Sequence, residues 1–427
     1  MSARVFIAIG IIVKNLWNLL LDRFRDKQRQ RALPEVVADV YDGKRYRQYS
    51  QIAARERRLS YIEGTVKAGI DAVLLFTPFY ACFEGLCGPN EYAIALGTVL
   101  VSELLYTPIS FAMAWWDTFH IENDFGLNKY TKAGFAKDYL VDELLSVALQ
   151  LVLLGAVVFS CKHVGGWVGR SDISAWTIFA VGALIALLFV AISLLFALIG
   201  LKVERAQYHI EDLPEGDLRT EIERMLATCK KRVHAITVYD ESSKSTSKNA
   251  LLIRLPWHRE ISIADNFINE NERGELIAAV AHEIGHLKHR GHIGERVFRW
   301  FGVVLLIACV CAAVAWPGTL EGMNVWVRQS FGLSCTNFYI DLIVVSIVTY
   351  PFTVALSAVS NGYQRKREYE ADQEAVRVGH GEDLVNLLKK ASRDELCNIN
   401  PHPFIEMLEY DHPGLANRVC AIYRAMK

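Results

Sequence analysis

The sequence predicts a mostly α-helical, multi-pass membrane protein that carries a cytoplasmic domain with a small β-sheet. Three observations lead there. Apolar residues make up 52% of the 427 and gather into long runs. Mean hydropathy is positive, +0.19, which argues against a plain soluble enzyme. Lys and Arg concentrate in alternate connections between the runs, as membrane topology requires. Other classes are excluded. An apolar chain with net charge −1 is not disordered. Its 46 basic residues face 47 acidic ones, so bulk charge offers nothing to a nucleic acid. The nine cysteines are scattered without a tandem C-x-x-C, so neither a disulfide scaffold nor a cysteine zinc ribbon is expected. Cys82 and Cys87 read as a reduced apolar pair.

A bilayer core of about 30 Å needs roughly 20 apolar residues in a helix. Seven runs qualify: 5–21, 66–86, 92–116, 144–160, 175–201, 300–316 and 338–360. The clearest is Ala175–Leu201, 27 residues without a charge. The first carries Lys14 and Asn15 and lacks a small-residue cleavage site after it, so it reads as a span rather than a signal peptide. Connection 22–65 holds eleven Lys/Arg, and connection 117–143 holds Lys129, Lys132 and Lys137. The opposite side is poor in them. This parity puts the N-terminus outside, and the 202–299 region and the tail after 360 in the cytoplasm.

The expected organisation is therefore five spans in 1–201, a first soluble part in 202–299, two more spans in 300–360 and a second soluble part in 361–427. The first soluble part opens with a charged helical stretch, Glu204–Lys231. Strands are expected at Ala235–Tyr239, Ala250–Leu255 and Ile261–Ala264, with a polar turn at Glu241–Lys248. A helix follows over Glu272–Arg290, with Asn271 as its N-cap. Within the spans, Lys14, Glu84 and Asp341 sit near run ends, where snorkelling explains them. Asp71 and Glu103 do not, and they suggest a wet interior.

The chemistry resides in His282-Glu283-Ile284-Gly285-His286. Spacing i, i+4 puts both imidazoles on one helix face. There they can bind one zinc ion, with Glu283 beside it as a base. Composition alone yields such a match about 0.02 times in a chain of this length. A catalytic zinc needs a third protein ligand and an open position. Glu368 and Asp372, also i, i+4, offer two carboxylates on one face. One can bind the metal and the other can accept a hydrogen bond from a ligand histidine.

These segments resemble the integral-membrane type I CAAX prenyl protease family, with the heat-shock HtpX-like membrane proteases as more distant relatives. The likeness extends to Ile121–Asn128, similar to the family's E-x-x-x-G-F-N loop with Leu127 in place of Phe. It also covers Ser247–Ala250 and Asp411–Arg418. It implies Glu368 as the third ligand, Asp372 as the partner of a ligand histidine, and Asn249, His412 and Arg418 near the substrate. It further implies a seven-helix barrel around a water-filled chamber, with the zinc site at its cytoplasmic end. His289 and His292 carry no implied role. The family often has a histidine where this chain has Gly291, and the pair reads as polar helix-end residues.

The expected reaction is zinc-dependent peptide hydrolysis, with one ion per chain and Glu283 as general base. His412 faces the oxyanion, and an extended substrate adds to the edge strand after Asn249. The substrate the likeness implies is a peptide or protein with a prenylated CAAX C-terminus, met at the membrane lipids. The runner-up is quality-control cleavage of misfolded membrane proteins. A third reading, a non-catalytic chamber or scaffold with structural zinc, requires a fourth protein ligand, and no convincing one is present. No KDEL-type ending is seen. The expected location is the inner membrane in a bacterium, towards which the short loops lean, or the endoplasmic reticulum in a eukaryote.

Overall fold

The computed structural model describes residues 1–164, 174–247, 249–255, 258–288 and 317–427. Helix α1 (Ala3–Arg29) starts at an N-cap, where Ser2 Oγ accepts from Val5 N–H. Helix α2 (Gly43–Phe76) starts the same way on Asp42, and α3 (Phe79–Cys87) follows after a bend of 68°. Helix α4 (Glu91–Trp116) passes into a π-helical turn, Asp117–Glu122. Then come α5 (Lys132–Phe159) and α6 (Ala175–Ala206).

Among the described residues, five helices are long and apolar enough to cross a membrane: α1, α4 with its π-turn, α5 with the residues to His163, α6 from Phe179, and the long helix over Phe338–Arg377. The bent α2–α3 pair makes a sixth if it counts as one span. The expected run 300–316 lies outside the described residues, as do His289 and His292.

The helices overrun their apolar runs. Connection 22–65 is not a loop: α1 continues to Arg29 and α2 begins at Gly43. The short piece between them enters the soluble core. Val37 and Val40 are buried there, and Tyr41 Oη donates to the carbonyls of Ser392 and Cys397 at 2.8 and 2.7 Å.

The soluble part carries a four-stranded sheet in the order β1-β2-β4-β3. These strands are β1 (Ile210–Asp212), β2 (Ala235–Tyr239), β3 (Ala250–Arg254) and β4 (Arg259–Ala264). β2 runs parallel to β4 and the other two pairings are antiparallel. β3 is an edge strand. Asn249 O accepts from Ala264 N–H, and Leu255 N–H donates to His258 O. Odd-numbered residues thus bond to β4, so Ala250 and Leu252 turn N–H and C=O to the open edge.

Helix α7 (Asp217–Thr228) precedes β2, and α8 (Asp265–Glu270) follows β4. Helix α9 (Arg273–Lys288) is buried over most of its length. Asn271 does not cap it as expected. Its side-chain amide donates to Phe267 O, and the Glu275 carboxylate accepts from Glu272 N–H instead. After α10 (Pro317–Phe331), helix α11 (Phe338–Arg377) runs unbroken for 40 residues. The expected boundary at 360 falls inside it. Helices α12 (Gly381–Asp394), α13 (Pro403–Glu409) and α14 (Leu415–Met426) close the fold. Ile222, Ile261, Ile284, Ala375, Val385 and Val419 join sheet and helices in one core.

A cavity of about 1000 Å³ opens between α1, α2, α4, α5 and α11, with Lys14, Asp71, Glu103 and Glu143 on its wall. The wet interior suggested by Asp71 and Glu103 has this counterpart. Lys14 faces the cavity and lies 5.8 Å from the Tyr350 ring. Glu84 and Asp341 do not snorkel, since both are buried. Glu84 accepts from Ser334 and Cys335 N–H and so fixes the turn before α11.

Candidate active site

Two helices build the site. At their crossing, a Cβ on Gly285 would lie 2.7 Å from Ala371 Cα, so only glycine permits the contact between α9 and α11. The approach brings the histidines of α9 against the carboxylates of α11. His282 and His286 Nε2 are 3.2 Å apart. His282 Nε2 lies 3.4 Å from Glu368 Oε2, and His286 Nε2 lies 3.3 Å from Glu368 Oε1.

The donor set fits zinc. Bonds of about 2.0–2.1 Å in a tetrahedron put ligand atoms about 3.3 Å apart, close to the three separations here. Glu368 Oε2 is buried without a hydrogen-bond partner, which a cation would satisfy. Among the described residues this is the one group of three or more His, Cys, Asp and Glu able to hold a metal ion.

Behind the histidines runs a chain of charges. His282 Nδ1 is 2.9 Å from Asp372 Oδ1. Arg418 of α14 grips the same carboxylate twice, Nε to Oδ2 at 3.0 Å and Nη2 to Oδ1 at 2.6 Å. Burial depresses the basicity of His282, but the Asp372 carboxylate bonded to it and the Glu368 carboxylate beside it outweigh that and hold its pKa up at about 9. Burial pushes the Glu283 carboxyl above its usual range, with the nearby histidines pulling the other way. Arg418, which the likeness implies near the substrate, has a guanidinium bonded to Asp372 and 3.9 Å from Glu368, with the side chain 11% exposed.

His412 approaches from the open side. Its Nε2 lies 3.6 Å from Glu368 Oε1, its Nδ1 lies 2.8 Å from Asp411 Oδ1, and its side chain is 59% exposed. The loop carrying it is fixed from below. The buried Glu406 carboxylate accepts from Gly414 N–H at 3.0 Å and from the Asn417 amide. A Cβ on Gly414 would lie 2.6 Å from Pro401 Cδ, so the loop needs glycine there. Arg365 of α11 donates to the Glu406 and Tyr410 carbonyls, and Asn361 donates to Leu408 O at 2.9 Å. Sequence reading missed Asp411, Glu406 and Arg365. Only the Asp-His pair stood within a segment already singled out. Asn249 is not part of this cluster. It is exposed where the chain enters β3, and β3 packs on α9.

This chain and its fold have counterparts among known proteins. Residues 23–197 match the model of the CAAX prenyl protease N-terminal region with five membrane helices, and residues 212–425 match peptidase family M48. A CAAX prenyl protease 1 homolog of Arabidopsis thaliana is 25% identical over 91% of this chain and 90% of its own length. A probable CAAX prenyl protease 1 of Schizosaccharomyces pombe is 25% identical over 99% of this chain and 89% of its own. The crystal structure of S. mikatae Ste24p shares the fold, with a TM-score of 0.76 at 20% identity over 99% of both chains. The chain belongs to the CAAX prenyl protease family of M48 peptidases and is an integral multi-pass membrane protease of a metallopeptidase family.

Proposed function

We propose that this chain is a zinc metalloendopeptidase that hydrolyses peptide bonds near the C-terminus of prenylated CAAX proteins or peptides. The observation that carries the reading is the meeting of three ligand-type side chains from α9 and α11, with Glu283 one residue from the first of them. His282, His286 and Glu368 would hold the ion. When bound, zinc supplies Lewis acidity, acidifying water and polarising a carbonyl.

The chain's own residues do the rest. Glu283 takes the proton from the attacking water, and its burial-weakened acidity suits it to return that proton to the leaving amine. His412 Nε2 donates to the carbonyl oxygen as negative charge grows there. Asp372, gripped by Arg418, fixes the orientation of His282. An extended peptide can bond to Ala250 and Leu252 on the open edge of β3, and Asn249 stands at that edge. The charge parity of the connections supports a cytoplasmic site.

The test uses detergent-purified wild type and Glu283→Ala. Zinc content is measured first, then cleavage of a farnesylated CAAX peptide against its unprenylated twin. About one zinc in both proteins, with cleavage by wild type alone, is the expected result. Equal cleavage by the variant refutes Glu283 as the base. Equal cleavage of both peptides by wild type turns the substrate reading to general membrane-protein proteolysis.

A further inference from the structure

The polar turn between β2 and β3 contains a lysine that is not at the surface. Lys244 is 7% exposed. Its Nζ donates to Asp138 Oδ2 on α5 at 2.7 Å, and Asp138 is itself buried. Two rings enclose the pair: Nζ lies 4.0 Å from the Tyr208 ring centre and 5.5 Å from that of Tyr130. Tyr130 Oη also donates to Asp138 Oδ2, at 3.2 Å.

The backbone around this lysine is fixed as well. Lys129 N–H donates to Lys244 O at 3.0 Å, and Thr246 N–H donates to Leu127 O at 3.3 Å. These two bonds flank a bridge between Asn128 and Ser245. Ser247 O accepts from the Asn266 amide at 2.7 Å, and Ser247 Oγ donates to Glu395 Oε1 at 2.9 Å. Residues 244–247 are thus held by a membrane-crossing helix, by the connection before it, by α8 and by the segment after α12. Two residues later the chain enters β3.

A turn that merely joins two strands needs none of this, since its polar side chains face water. A buried ion pair is also a poor source of stability, because apolar side chains of similar volume serve as well or better. What it supplies is a fixed direction between two bodies. We propose that Lys244 and Asp138 are positioning residues for the substrate backbone, locking the entry of the open β3 edge to span α5. This rests on the reading above that β3 receives the substrate.

The test uses the full zinc-loaded chain in detergent, with the farnesylated CAAX peptide as probe. Lys244→Met is compared with the double variant Lys244→Met/Asp138→Asn, which leaves no buried charge unpaired. In the double variant KM is expected to rise about tenfold with kcat within about twofold. Zinc content is expected to stay unchanged, and the Leu251 and Ile253 amides, which bond to β4, to exchange hydrogen faster. Unchanged KM and exchange overturn the proposal. A fall in kcat or zinc at constant KM overturns it too, since the pair then only holds the fold. If wild type does not cut the peptide, the proteolytic reading fails separately. The exchange rates then decide the clamp alone, and unchanged rates refute it.

Discussion

Two regions of this molecule gather charged side chains, and they arrange them in opposite ways. At the crossing of α9 and α11, His282, Glu368, Asp372 and Arg418 converge from three separate stretches of chain onto one point. Around the membrane cavity, Asp71, Glu103 and Glu143 are spread over a wall and bonded to neighbours such as Tyr106, Gln150 and Thr107. The first arrangement leaves a buried acceptor, Glu368 Oε2, without a hydrogen bond, its nearest protein donor being His282 Nε2 at 3.4 Å. In the second, each carboxylate finds a neutral donor. Convergence with an orphaned acceptor indicates chemistry, whereas dispersal with neutral partners indicates a solvated wall.

Substitutions graded by effect would break or sharpen this contrast. The largest effect is expected from His286→Ala, which removes a proposed ligand: zinc content falls to background and peptide cleavage disappears. Glu283→Gln should retain its zinc while kcat drops by about 10²–10⁴, read by metal analysis beside steady-state kinetics. Asp372→Asn leaves the three proposed ligands in place but loosens His282. Zinc affinity is expected to weaken about 10–100-fold in a chelator competition. Glu406→Gln keeps the shape of the His412 loop with a weaker acceptor, and kcat should fall about tenfold at normal zinc content. Smallest of all, Asp71→Asn on the cavity wall should leave kcat/KM within about twofold. A loss there comparable to that of Asp372→Asn would erase the distinction.

The convergent region was largely legible in the sequence, because its signal is local. The i, i+4 pairs His282/His286 and Glu368/Asp372 each declare a helix face. What sequence could not give was the Arg418–Asp372 contact, made across 46 positions, or the Glu406 brace under His412. The strands expected at Ala235–Tyr239, Ala250–Leu255 and Ile261–Ala264 were legible as short apolar segments, whereas β1 is three residues long and mostly polar. Hydropathy marks only the part of a helix that meets lipid. It therefore saw 66–86 but not the charged first half of α2, and it ended a span at 360 where α11 continues. Lys244, in a turn rich in serine, looked like any solvated lysine until the fold placed α5 and Tyr208 around it.

The unbroken course of α11 makes it a lever. Pro351, within its apolar half, lacks the N–H that would bond the preceding turn. Glu368 sits about 25 Å further along the axis. A tilt of about 5° at Pro351 would swing the carboxylate by about 2 Å, ten times the tolerance of a metal–ligand distance. Asn361 and Arg365 tie α13 and the His412 loop to the same arm, whereas His282 and His286 ride on α9. Half of the proposed site is thus mounted on the helix that continues the last apolar run and half on α9 of the sheet-bearing part.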